Sequence, residues 1–294
     1  MPTTEHRIPH LSIGHGRRRR RWVGRVLLLV ILAMVGGAGY FGYTTLIKNF
    51  GQPSCRATAL GQNVTFSPEQ SANAATITAV ALKRGLPPRA ATIALATALQ
   101  ESKLRNVKFG DRDSLGLFQQ RPSQGWGTQA QILDPMYATT RFYDALIKIK
   151  GYEGMAITEV AQEVQRSAFP QAYADHEDEA GILSSTLTGL SAGGIGCRLD
   201  EATTSSPATD IAARLTAELG VRTTVEGTTV RATSPSAQAA WAAGSWGVTH
   251  AEADGITSVT VGDRAWTRVR GEEAWSWQAA TKATSATSVT ITTR

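Results

Sequence analysis

The hydrophobic pattern changes character along the chain. Its first feature is an unbroken apolar run, with no charged residue over the 22 positions from Val26 to Ile47. At about 1.5 Å per residue, a helix of that length crosses a hydrocarbon core of roughly 30 Å. Arg17 to Arg21 lie directly upstream. Cations on that flank predict a cytoplasmic N-terminus and an extracytoplasmic location for everything after Lys48. A cleaved signal peptide is the competing expectation, and its apolar stretch would be shorter, about 7–15 residues. Either way the body of the protein is expected outside the cytoplasm.

Beyond a stalk at 48–66 the period becomes helical. Ser67-Pro68-Glu69-Gln70 has a capping serine, a proline at the first helical position and a glutamine three residues after the cap. This predicts a helix to about Arg84, ended by Gly85 and the Pro87-Pro88 pair. A second helix, from about Arg89 to Lys103, contains ATIALATAL. It has almost no polar face and so belongs in the middle of a globule. Residues 104–133 have no sustained period and read as loop. Asp134-Pro135 opens a third helix to about Lys150, with Ala138, Phe142, Leu146 and Ile149 as its apolar stripe. Thr158 caps a fourth helix to about Ala168, and another begins near Pro170.

After a polar linker at 198–207, helical and strand-like segments alternate: a helix at 208–219, RTTVEGTTVRAT, a helix near 235–247, ITSVTV and a terminal TSVTITTR. The expected architecture is a basic tail (1–25), one transmembrane helix (26–47), a stalk (48–66), a mainly α domain (67–197), a linker (198–207) and a small α+β domain (208–294).

Composition sharpens this picture in two places. The 294 residues are 42% hydrophobic and 18% charged, which excludes a disordered polyelectrolyte. The net charge of +6 is concentrated at the start, where residues 1–48 carry eight Lys and Arg against Glu5. The remainder is close to neutral, which argues against a nucleic-acid-binding surface. Cys55 and Cys197 are the only cysteines. In an oxidising compartment they read as a disulfide rather than a metal site. No metal or cofactor is expected: His6, His10 and His15 lack cysteine or acidic partners, and no phosphate-cradling glycine loop occurs.

Glu101 is the residue most open to a chemical role. A carboxyl at the end of a buried apolar helix is partly desolvated, and desolvation favours the protonated form. Glycoside cleavage needs such an acid to protonate the leaving oxygen. The plainer reading is a helix-end glutamate facing water.

Glu101-Ser102 is followed by Gly110-Asp111-Arg112-Asp113-Ser114-Leu115-Gly116-Leu117-Phe118-Gln119-Gln120. Across residues 68–190 this resembles the lysozyme-like superfamily of lytic transglycosylases and goose-type lysozymes. In that family a helix ending in Glu-Ser is followed, after a loop, by Gly-Leu-Met-Gln. The resemblance implies a lysozyme-like fold for 67–197, with Glu101 as general acid and Ser102 orienting it. It also implies that Gly116, Leu117, Phe118, Gln119 and Gln120 line a saccharide cleft. One glutamate can suffice for the lytic reaction. A hydrolytic variant would need a second carboxylate, for which Asp111 and Asp113 are the candidates, unless both are turn-forming loop aspartates.

Phe118 stands where the family has methionine. The family's Ala-Tyr-Asn-Ala-Gly stretch has its nearest counterpart in Val164–Pro170, where Gln165 or Arg166 would replace the asparagine as donor. Five tryptophans (Trp241, Trp246, Trp266, Trp275 and Trp277) fall in the tail region, as core residues or as a sugar-stacking surface. The expected function is therefore a membrane-anchored enzyme, of lytic transglycosylase or muramidase type, that cleaves the glycan strands of peptidoglycan. The alternative is a non-catalytic wall-binding or scaffold protein.

Overall fold

The computed structural model describes the backbone of residues 29–37, 39–40, 52–165 and 170–294, and the side chains of all of these except 165, 170 and 171. The chain divides into two units, Met1–Gln52 and Pro53–Arg294. In the first unit, residues 29–37 and 39–40 are helical. Among the described residues no helix is long and apolar enough to cross a membrane. The rest of the 26–47 run and the Arg17–Arg21 cluster lie outside the described residues.

The expected fold class needs correction. A mainly helical body behind a spanning helix, with a separate small α+β domain, does not describe this chain. Pro53–Arg294 is a mixed structure of helices and two antiparallel sheets. Strands β1 (Ser54–Ala59) and β2 (Gln62–Phe66) form a hairpin within the stretch read as a stalk, and β3 (Ile195–Arg198) pairs with the other edge of β1. The hairpin closes on Leu60-Gly61, both at positive φ (55° and 74°). That conformation matches the right-handed twist of the flanking strands. Strand β1 alternates buried positions (Cys55, Ala57 and Ala59) with partly buried or exposed ones. It is too short and too rich in Ser, Arg and Thr for hydropathy alone to mark it.

Cys55 and Cys197 sit opposite each other on β1 and β3 and form a disulfide over a sequence separation of 142. Gly196, next to Cys197 on β3 and opposite Arg56 on β1, has no room for a side chain. A Cβ there would lie 2.5 Å from the Ala274 carbonyl oxygen and 2.6 Å from the Trp275 carbonyl carbon.

The helices of the first half are α1 (Pro68–Lys83), α2 (Pro88–Ser102), the short α3 (Gln129–Ile132), α4 (Pro135–Leu146), α5 (Ile157–Gln165) and α6 (Glu177–Leu187). Helix α1 starts on the expected capping box, with Ser67 and Gln70 bonded to each other's backbone N–H. Asp134 caps α4 by accepting from the N–H groups of Met136 and Tyr137. Thr158 lies inside α5, which begins one residue earlier.

The second half supplies α7 (Ala208–Leu219), α8 (Ala237–Thr249), the short α9 (Ala251–Asp254) and a six-stranded sheet. The strands are β4 (Arg222–Glu226), β5 (Thr229–Thr233), β6 (Ile256–Val261), β7 (Arg264–Thr267), β8 (Gln278–Ala279) and β9 (Ser288–Thr293), in the order β4-β5-β9-β6-β7-β8.

One hydrophobic core runs through both halves. Helix α8 packs on α1 as well as on β6 and β9. Buried Glu218 of α7 accepts from the Thr76 hydroxyl of α1 at 2.9 Å and from Trp246 Nε1 of α8 at 2.8 Å. These bonds satisfy a carboxylate that would otherwise be costly to bury. Trp246, Trp266 and Trp277 are core residues, and Trp241 packs edge-on against Trp277. Trp275 lies under the guanidinium of Arg56, 3.5 Å from its centroid.

Candidate active site

Helix α2 delivers Glu101 to the surface. Residues Ala90 to Leu99 are buried apart from Thr92, so after Arg89 and Thr92 near its start, accessible polar side chains return only in the last turn, Gln100-Glu101-Ser102. The helix then stops sharply. Lys103 and Leu104 both take positive φ (56° and 58°), and the Leu104 N–H reaches back to the Ala98 carbonyl at 3.0 Å. A left-handed conformation costs an ordinary residue roughly 1–2 kcal/mol, so the stop must be held by other contacts. Gln70 Nε2 donates to the Lys103 carbonyl and Asn73 Nδ2 to the Leu104 carbonyl, each at 2.8 Å. Both side chains come from α1, which therefore fixes where α2 ends.

Ser102 joins the helix end to the glycine-containing turn. Its hydroxyl donates to the Leu117 carbonyl at 2.8 Å, and its own Ala98 carbonyl lies at 3.1 Å. The turn is closed by a two-way backbone bridge between Leu115 and Gln120, both bonds at 3.0 Å. Gly116 has φ +75°, and a Cβ there would meet the Ile132 carbonyl at 2.7 Å. Phe118 is fully buried and stacks on Phe142 with ring centroids 4.6 Å apart. Gln120 is buried and donates to the Ala138 carbonyl at 3.1 Å. Gln119 takes φ 47°, and its amide reaches the Gly116 carbonyl at 3.3 Å.

Five described non-glycine residues have positive φ, and four of them (Lys103, Leu104, Arg112 and Gln119) lie within this helix-end and loop region. Strained backbone of this kind tends to collect at functional sites.

The decisive contact was not legible from the motif. Tyr173, fully buried on a three-ten segment (Pro170–His176), donates its hydroxyl to Glu101 Oε1 at 2.6 Å. Glu101 itself is half-buried, neither loose in solvent nor sealed inside. The expectation at Val164–Pro170 stops three residues short of this tyrosine, and a tyrosine on the segment that packs against α2 was the available signal.

His176, on the same segment, lies 3.2 Å from Lys103 Nζ through Nε2 and 3.4 Å from Glu179 through Nδ1. The same Nε2 lies 3.2 Å from Gln100 Oε1, so the histidine also touches the last turn of α2.

The remaining candidates have other employment. Asp113 accepts from Arg121 Nε at 2.8 Å, from the Ser123 N–H at 2.8 Å and from the Ser123 hydroxyl at 3.0 Å. The Arg121 bond, followed by those from Ser123, holds its carboxyl well below the usual carboxylate range. Such a group is a weak base, and here it braces the short turn Pro122–Gln124. Asp111 is 91% exposed, with the Arg112 guanidinium 3.9 Å away. The Gln165 side chain and Arg166 lie outside the described residues.

Glu101, Ser102 and the 115–120 turn are thus brought together, with Tyr173 added. Compared with known proteins, the chain matches no protein-family model and no curated sequence.

Proposed function

We propose that this protein cleaves the glycan strands of peptidoglycan, with Glu101 as the proton donor and Tyr173 as the residue that positions it. The observation behind this reading is the 2.6 Å bond from a buried tyrosine to a half-buried helix-end glutamate. A carboxyl held in one orientation beside a chain-reversing turn suits protonation of a fixed glycosidic oxygen. As Glu101 gives its proton to that oxygen, the bond from C1 to the leaving oxygen breaks and positive character develops at C1. The Tyr173 hydroxyl supports the carboxylate that remains.

Two fates are open to the sugar. Its own 6-hydroxyl can attack C1 and return a proton to Glu101, giving an anhydro ring. Alternatively, water activated by a second carboxylate can attack and give a reducing end. The engagement of Asp113 by Arg121 and Ser123 favours the first, since it leaves that carboxylate a poor base. The glycan strand is the expected partner. The disulfide between Cys55 and Cys197 suits a compartment outside the cytoplasm.

Mass spectrometry of peptidoglycan fragments released by the full chain tests the reading. Ends lighter by one water support the lytic route and reducing ends the hydrolytic one. Failure to release fragments leaves a wall-binding role.

A further inference from the structure

The loop that follows Glu101 has a surface character of its own. The chain beyond residue 48 is close to neutral, yet residues 103–112 hold Lys103, Arg105, Lys108 and Arg112 against Asp111 alone. All four cationic residues are exposed. Among the described residues, neither Arg105 nor Lys108 has an ion-pair partner. Arg112 and Asp111 face each other at 3.9 Å with side chains 71% and 91% exposed, a pairing that contributes little in water. Lys103 Nζ rests against the His176 ring, and the next acid along the chain, Asp113, is taken by Arg121.

Phe109 stands among these cations. It is 78% exposed, the highest value for any large apolar side chain among the described residues. Its exposure does not come from a loose backbone. Leu104 is fully buried, Asn106 Nδ2 donates to the Leu133 carbonyl at 2.7 Å, and the Val107 carbonyl accepts from the Gly116 N–H at 2.7 Å. On the other side of the ring, Gly110 lies so close to Gln119 that a Cβ would overlap its side chain. The loop is thus tethered before and after Phe109, and little ordering entropy is lost when a partner meets it. Phe109 is one residue from Lys108, three from Arg112 and four from Arg105. At about 3.8 Å per residue, the two arginine Cα atoms lie within about 11 and 15 Å of its own.

A ring flanked by cations discriminates between anionic partners. A soluble phosphate polymer would satisfy the cations and leave the ring in water. A bilayer surface takes both, because aromatic rings settle at headgroup level while Lys and Arg are drawn to anionic lipids.

We propose that residues 103–112 form a docking loop for an anionic lipid bilayer, with Phe109 entering the headgroup region and Arg105, Lys108 and Arg112 meeting lipid phosphates. Lys103 follows Glu101 by two residues, so docking brings the end of α2 to the bilayer surface. Docking of this kind is independent of whether Glu101 cleaves glycan.

The test is hydrogen–deuterium exchange of the full chain on phosphatidylcholine vesicles with and without phosphatidylglycerol, read on the amides of residues 103–112. Any attachment through the uncharged 26–47 run is common to both vesicles and does not enter the difference. Exchange in the loop should be at least about fivefold slower on the anionic vesicles, the factor that a single well-placed cation supplies. Arg105→Gln combined with Lys108→Gln should abolish that difference, and Phe109→Ser should shrink it. These substitutions change exposed side chains, and exchange in the rest of the body reports whether each variant is folded.

Equal exchange on the two vesicles, or a difference that survives both variants, overturns the docking loop. Equal protection by soluble polyphosphate also overturns it, and marks a phosphate-polymer site instead. Glu101→Gln should leave the protection intact whatever it does to turnover, which keeps this outcome separate from that of the catalytic reading.

Discussion

The Tyr173 hydroxyl meets Glu101 Oε1 at 2.6 Å, across a sequence separation of 72. The tyrosine is buried and the glutamate half-buried, so the pair sits where the core gives way to solvent. Replacing Tyr173 with Phe keeps the ring and removes the donor. Stability should fall by about 1 kcal/mol, the usual net worth of one hydrogen bond. If the tyrosine orients the acid, kcat should drop by roughly tenfold or more while KM stays near the wild-type value. An unchanged kcat would mean that the bond is structural only.

The Ser102–Leu117 link makes the turn part of the same device, and Gly116 is its most constrained residue. Gly116→Ala combines a positive φ with a Cβ placed 2.7 Å from the Ile132 carbonyl. We expect a loss of about 1–3 kcal/mol in urea unfolding, with activity reduced alongside. A variant as stable as the wild type would show that the turn can shift freely.

Asp113 gives a pH-dependent signature. Its carboxyl is held well below the ordinary aspartate range by Arg121 and Ser123, so the folded state binds its proton less readily than the unfolded chain does. A depressed folded-state value contributes stability that is fully present above the unfolded value and is lost as the pH falls towards the folded one. Asp113→Asn should therefore lower Tm by a constant amount above about pH 5, with the gap to wild type closing below about pH 4. A gap that stays constant into acid would exclude the ion pair as its source.

The Cys55–Cys197 disulfide closes a long loop, with a sequence separation of 142. On the chain-entropy account, closing such a loop contributes about 4–5 kcal/mol. Thermal unfolding with and without reductant should show Tm falling on reduction. No change would mean that β1 and β3 hold their register without the bond.

Much of the helical framework was legible because each signal was local. The Ser67–Gln70 capping box, the Asp134 cap and the apolar run of α2 each announce an element within a few residues. The segment ITSVTV is strand β6 as expected. What escaped was set by tertiary pairing. Strands β1 and β3 are short and lie at opposite ends of the first half, and neither has a hydrophobic signature of its own. Burial of Leu199 and Ala202 within the polar 198–207 stretch could not be read from composition.

At the site, Glu101, Ser102 and the 115–120 turn were legible as a motif. Tyr173 was not, because its role depends on how the three-ten segment packs against α2 rather than on any neighbour in sequence. Asp113 looked like a candidate base, and only its three bonds to Arg121 and Ser123 reveal a brace.

All of the chemistry proposed passes through one proton on one carboxyl. Glu101→Gln keeps the shape and size of that group and removes the proton, so turnover of purified peptidoglycan by this variant, beside wild type, is the most direct measurement. Glycan release should fall at least about a hundredfold, within the usual contribution of a general acid, with the fold unchanged by circular dichroism. Release at the wild-type rate by a folded Glu101→Gln protein would contradict the account.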